Sequence, residues 1–208
     1  MWSLIQAAGW PIWPLIFASI IALALILERL WSLRQSIIAP PGFVDKVLAE
    51  YKQSGLSPEL LAKTARQGPL GRVLATGLAN VKSPRPVMKE AIEEVGHLVA
   101  HDLERFLTTL GTIAAMAPLL GLFGTVVGMI EIFGSQSPGG TNPQQLAQGI
   151  SIALYNTAAG IAIAIPALIF YRHFKNKVDG FVVQMEQAAS KLVDIVHGER
   201  DGYRTAQT

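Results

Sequence analysis

Hydrophobic residues in this chain gather into three blocks, and between them apolar positions recur only every three or four residues. The first block is Trp10 to Leu27, WPIWPLIFASIIALALIL. The second is Phe106 to Phe133, FLTTLGTIAAMAPLLGLFGTVVGMIEIF, and the third Leu146 to Tyr171, LAQGISIALYNTAAGIAIAIPALIFY. Each is long enough to cross a bilayer as a helix, and the second carries no charge before Glu131. Trp2, Trp10 and Trp13 sit at the start of the first block as an interfacial belt would. Pro11 and Pro14 fall in its opening turns, where a missing backbone donor costs least. No basic residue precedes this block and no small-residue cleavage pattern follows it, so it reads as a retained anchor.

Outside the blocks the pattern is amphipathic. From Pro86, the positions Val87, Ile92, Val95, Leu98, Val99 and Leu103 keep helical spacing with no breaker before Phe106. The second block is therefore expected to continue this helix as one rod of about 48 residues, roughly 70 Å long. Beyond the third block Phe174, Val178, Phe181, Met185, Leu192 and Val196 extend the helical spacing in the same way. Gly42, Gly55, Gly68 and Pro69 punctuate shorter pieces, and Ser57-Pro58-Glu59 reads as an N-cap followed by proline at the first helical position. SQSPGGTNPQQ suits a tight turn between antiparallel helices, and the polar tail after Gly198 is expected to fray.

Composition sharpens this picture. Half of the 208 residues are hydrophobic, 15% are charged and the mean hydropathy is +0.37, values of a membrane protein. The absence of cysteine excludes disulfides, thiol catalysis and cysteine-ligated metals. The net charge of +2 matters less than where the charges lie. Every Lys and Arg falls within Arg29 to Arg105 or Arg172 to Arg204, and none lies before Trp10 or in Gly134 to Gln145. The positive-inside rule then gives an outer N-terminus, three spans and an inner C-terminus. The expected layout is residues 1–31 with the first span, an inner helical domain 32–105, the second span 106–133, an outer loop 134–145, the third span 146–171 and an inner helix and tail 172–208.

Two stripes of small residues stand out within the spans. Gly111, Ala114, Pro118, Gly121, Thr125 and Gly128 follow at alternating spacings of three and four, and Gly149, Ala153, Thr157, Gly160, Ala164 and Ala167 make a second stripe at spacings of three or four. Such stripes either let two backbones pack closely or line a narrow passage. Each holds one hydroxyl. Counted from the outer ends, Thr125 lies about 12 Å deep and Thr157 about 16 Å, nearly one level. A membrane threonine can bond the carbonyl one turn back and merely pack, or it can donate and accept in a proton relay.

Neither span carries Asp, Glu, Lys, Arg or His at mid-depth. Glu131 is near the outer end, where water reaches it, and Asn156 and Tyr155 are polar but neutral, Asn156 being of the kind that bridges helices. If the chain handles protons, the titrating carboxylate comes mostly from another polypeptide. His97 and His101 have the spacing of two metal ligands, yet on a helix of mixed charge they read as surface, and no metal or other cofactor is expected. No nucleophile–histidine pair lies at membrane depth and no phosphate loop is present, so the chain does not read as an enzyme.

The motifs APLLGLFGTVVGMIEIF (Ala117 to Phe133) and GISIALYNTAAGIAIAIPAL (Gly149 to Leu168) resemble the signature helices of the MotA/TolQ/ExbB proton-channel family. The three-span layout is most similar to ExbB and TolQ. The resemblance implies an all-α integral protein of the bacterial inner membrane, with a periplasmic N-terminus and two spans extended into a cytoplasmic helical bundle. It implies a homopentamer whose pore holds an ExbD/TolR-like single-span partner, with a TonB- or TolA-like protein beyond it and no nucleic acid. Thr125 and Thr157 match the family's pore threonines, and Pro118 and Pro166 its prolines. Gly111, Ala114, Pro118, Gly121, Gly128, Gly149, Ala153, Gly160 and Ala164 are then expected to line the pore. One departure is Ile152, which stands where ExbB proteins commonly carry glutamate. Proton-driven work for TonB-dependent import, a TolQ-like envelope motor, a non-conducting scaffold and a self-sufficient channel are the readings this leaves.

Overall fold

The computed structural model describes residues 9–134 and 143–198, with Gln145, Gln148 and Ile152 described by their backbone alone. Trp2, the turn between the second and third spans, the tail beyond Gly198 and the side chain expected at Ile152 lie outside the described residues. Every regular element among the described residues is helical: α1 (Ile12–Ser32), α2 (Gln35–Ile38), α3 (Phe43–Ser54), α4 (Pro58–Ala65), α5 (Pro69–Ala79), α6 (Arg85–Glu104), α7 (Leu107–Gly134) and α8 (Pro143–Val196). Three stretches are long and apolar enough to cross a membrane, one in α1, one in α6–α7 and one in α8. The chain forms two compact units, whose described residues come from Met1–Arg29 with Phe106–His173 and from Leu30–Arg105 with Phe174–Thr208.

The first unit holds the apolar helices α1, α7 and the first part of α8. These are hydrophobic all round, so burial is decided by fit rather than by an apolar stripe. Its buried positions are mostly small: Ala114, Ala117, Gly121 and Gly124 on α7 face Ala153, Ala164 and Ala167 on α8. Leu15 of α1 closes a cluster with Ala117 and Ala164, and Leu120, Ala159 and Ile163 pack around it. At the head of α1, Trp10 meets Phe123 edge-on with ring centroids 6.0 Å apart. Because lipid tails are as apolar as leucine, this unit coheres through close van der Waals contact, which small residues maximise.

The second unit is an ordinary amphipathic bundle. Phe174, Val178, Phe181, Met185 and Leu192 of α8 are all buried, as their spacing requires, and they meet a core that includes Leu74, Leu78, Met88, Ile92 and Val99. Ser57 caps α4, its hydroxyl accepting from the Leu60 amide at 3.1 Å. Gly68 precedes α5 at φ +98°, and a Cβ there would lie 2.4 Å from the Ile37 carbonyl oxygen, so only glycine fits. Ion pairs tie Arg85 to Asp194 at 3.1 Å, Lys175 to Glu104, and Lys191 to Asp45.

One expectation fails. The rod running through the second span is broken at Arg105 and Phe106. Arg105 has an extended backbone (φ −49°, ψ 138°) and Phe106 sits at φ +66°, so α6 ends at Glu104 and α7 begins afresh. No glycine or proline marks the place. The Arg29 guanidinium lies over the Phe106 ring, 5.2 Å from its centroid, and Arg29 itself is buried and paired with Glu28 at 3.0 Å. That contact joins segments far apart in sequence, and helical periodicity is blind to it.

Candidate functional site

Helices α7 and α8 meet along a seam set by glycines. A Cβ on Gly160 would lie 2.4 Å from the Ala117 carbonyl oxygen and 3.1 Å from the Gly121 Cα. On Gly121 it would lie 2.6 Å from the Asn156 carbonyl oxygen and 2.9 Å from the Thr157 Cα. On Gly128 it would sit 3.3 Å from the Ala153 Cβ, on Gly149 2.5 Å from the Ile132 Cδ1, and on Gly111 3.0 Å from the Tyr171 ring. Six of the small residues expected at the site, Gly111, Gly121, Gly128, Gly149, Ala153 and Gly160, thus make their close approaches within one chain. Gly121, Ala153 and Gly160 are buried, as are Ala114 and Ala164, whereas Gly111, Gly128 and Gly149 are half-buried, as are Pro118, Thr125 and Thr157. Both Pro118 and Pro166 lie inside helices that run on past them.

These contacts fix the register. Residue 160 faces 117, residue 156 faces 124 and residue 153 faces 128. Thr125 therefore lies opposite 155, about two residues or roughly 3 Å from the level of Thr157. At 100° per residue, each threonine is rotated roughly 50–65° from its helix's buried face. Because the helices are antiparallel, both rotations point to the same side of the pair. Leu120 of α7 and Ala159 and Ile163 of α8 turn to the other side, where Leu15 of α1 packs. The two hydroxyls thus share the side of the pair that α1 does not cover.

Thr125 donates its hydroxyl proton to the Leu122 carbonyl at 2.7 Å. The bond is the one-turn-back habit of membrane threonines, and it leaves the oxygen lone pairs turned outward as acceptors. Beside it Val126, Met129, Ile130 and Phe133 line a shallow apolar depression. No Asp, Glu, Lys, Arg or His lies between Leu107 and Ile130 of α7 or between Pro143 and Tyr171 of α8. Glu131 is exposed near the end of α7. His97 is exposed with its Nε2 3.8 Å from Glu93, and among the described residues no three His, Asp or Glu side chains converge as metal ligands.

The sequence reading did not place Ala117 and Gly124 at this seam, and gave Asn156 only as a residue of the kind that bridges helices. Asn156 is only 1% exposed and lies across Gly124, where a Cβ would come within 2.8 Å of the Asn156 Cβ and 2.9 Å of its Cγ. A signal for the first two was present: Leu110, Ala114, Ala117, Gly121, Gly124 and Gly128 alternate spacings of four and three as regularly as the stripe containing Thr125. Two overlapping stripes of small residues cannot be ranked by spacing alone.

Comparison with known proteins gives a consistent answer. The model of a family described as the MotA/TolQ/ExbB proton channel family matches residues 65–187. A Synechocystis sp. protein named ExbB-like 3 is 32% identical over 176 residues, covering 82% of this chain and 83% of that protein. The biopolymer transport protein exbB1 of Vibrio cholerae is 34% identical over 174 residues, 78% of this chain and 74% of its own length. The biopolymer transport protein ExbB of Pseudomonas putida is 32% identical over 168 residues, 74% of this chain and 50% of that protein.

Proposed function

The chain belongs to the MotA/TolQ/ExbB proton channel family and is most like ExbB, and on that footing we propose that it is the proton-conducting, stator-like subunit of an inner-membrane complex that turns proton motive force into mechanical work. The observation that carries this reading is the pair Thr125 and Thr157. The two hydroxyls lie close in level on the uncovered side of the α7–α8 pair, in a membrane region that holds no Asp, Glu, Lys, Arg or His. A carboxyl group on a partner's single span would supply the titrating group. Protonated, it donates to the threonine oxygens; ionised, it accepts from their hydroxyls.

In this proposal five copies form a ring. The α7–α8 seams hold each subunit together, while the threonine sides, with Pro118, face inward to an ExbD/TolR-like helix. Residues 32–105 and 172–208 form the cytoplasmic part, 134–145 is a periplasmic loop and the N-terminus is periplasmic, following the distribution of Lys and Arg. Moving one charge through the membrane potential releases about 2.3 kcal/mol per 100 mV, so force at a distance requires several protons per working stroke. The work done in this reading is TonB-dependent import, in keeping with relatives named as biopolymer transport proteins.

The test is potential-driven proton uptake in liposomes holding the chain with a co-purified single-span partner. Thr125→Val keeps the shape and removes the hydroxyl. One hydrogen bond to a charged group is worth about 1.5–3 kcal/mol, so flux should fall ten- to a hundredfold with the complex intact. Thr157→Val should behave alike, and Thr125→Ser should retain most of the flux. Wild-type uptake by both valine variants would return the threonines to a packing role.

A further inference from the structure

We propose that Asn156 is a positioning residue that pins the register of α7 against α8 and thereby keeps Thr125 and Thr157 at one level. The inference rests on the proton-pathway reading for its functional meaning, but not for its geometry. Through the middle of the seam, from the Gly128–Ala153 contact to the Gly121–Gly160 contact, the two helices touch mainly through glycines and alanines, whose short side chains give little resistance to sliding. A slip of one turn replaces one small contact by another almost equivalent: Gly128 now faces Ala153, and after a slip it would face Gly149 or Thr157. A smooth apolar seam therefore does not select a single alignment.

Asn156 breaks this equivalence. It is 1% exposed and lies at the centre of the seam, with its Cβ, Cγ and Nδ2 all within 3.0 Å of where a Gly124 Cβ would stand. Only a residue without a side chain can face it. One turn away along α7 the amide would meet Leu120, which is too bulky, or Gly128, and the second slip would carry Ala153 to the place of Gly149, where a Cβ comes within 2.5 Å of the Ile132 Cδ1. An amide taken out of water also demands defined hydrogen-bonding surroundings, which a sliding interface cannot keep. Steric fit and polarity thus favour the same alignment, the one in which the adjacent Thr157 comes level with Thr125. A single buried amide that fixes the alignment of packed helices has the same physical basis in coiled coils.

The test reads register directly. The chain has no cysteine, so introduced pairs report without background. Gly128→Cys with Ala153→Cys should form a disulfide in the full complex in membranes, because their Cβ atoms are placed within bonding reach. Gly128→Cys paired with Gly149→Cys or Thr157→Cys should not. Adding Asn156→Leu keeps the branched side-chain skeleton and removes polarity. It should lower the 128/153 product at least threefold and raise one of the slipped products. Transposing the amide, with Asn156→Gly and Gly124→Asn together, should restore the 128/153 product. An unchanged cross-link pattern with Asn156→Leu overturns the proposal. If that variant fails to accumulate, loss of the 128/153 product in the transposed variant does so instead. Proton uptake read on the same samples separates the two ideas: a slipped register with wild-type flux leaves the pin standing and removes the threonine pathway.

Discussion

The α7–α8 seam makes alanine substitution of glycine change sign with position. At Gly160 a new Cβ lands 2.4 Å from the Ala117 carbonyl oxygen, and ordinary contact begins near 3.4 Å. The obstacle is backbone on both sides, so the helices must part by about 1 Å. A gap of that size forfeits a quarter to a half of each van der Waals contact along the seam, and overpacking of this kind costs about 1–3 kcal/mol. Against it stands the gain of about 0.5–1 kcal/mol from replacing glycine inside a helix. The net effect at Gly160 is a loss of roughly 0.5–2 kcal/mol. Gly96 in α6 and Gly180 in α8 are also helical, yet a Cβ on either meets nothing within 4 Å. There the propensity gain is unopposed, and Gly180→Ala should stabilise by about 0.5–1 kcal/mol. The measurement is a denaturant titration of the detergent-solubilised protein followed by far-ultraviolet circular dichroism, with all three variants compared at one protein concentration. Midpoints ordered Gly180→Ala and Gly96→Ala, then wild type, then Gly160→Ala are expected. A Gly160→Ala midpoint at or above that of Gly180→Ala would refute the packing argument, since the chemical change is identical.

Two further outcomes are expected. In intact cells a membrane-impermeant thiol reagent should label Gly139→Cys, whereas Lys63→Cys and Lys191→Cys should react only after permeabilisation; labelling of Gly139→Cys solely from the cytoplasm would reverse the orientation drawn from the basic residues. Ser57→Ala should lower stability by about 1 kcal/mol through loss of the bond to the Leu60 amide, and Ser57→Asn should largely restore it.

Much of this molecule is legible in the order of its residues because membrane helices are announced by composition. The three apolar blocks, the cap at Ser57 and the buried row Phe174, Val178, Phe181, Met185 and Leu192 all follow from local pattern. The break at Phe106 does not, because what accompanies it is Arg29 over the ring, a contact between distant segments. The site divides in the same way. The hydroxyls and their near-equal depth can be counted along each helix, but which stripe of small residues forms the seam depends on the rotation of two helices about their own axes. Spacing leaves that rotation open, so Asn156 reads as a helix-bridging residue, and what it faces is settled only when Gly124 is seen beneath it.

The joint at Phe106 has a thermal consequence. A left-handed backbone costs an L-residue about 1–2 kcal/mol, and a cation over an aromatic face returns about 0.5–2 kcal/mol. These two terms are of opposite sign and close in size, so they largely offset one another. A shift of about 1.4 kcal/mol changes a two-state ratio tenfold. The first turn of α7, where the Leu110 amide bonds back to Phe106, is thus a place where a small change in charge near Arg29 shifts backbone populations.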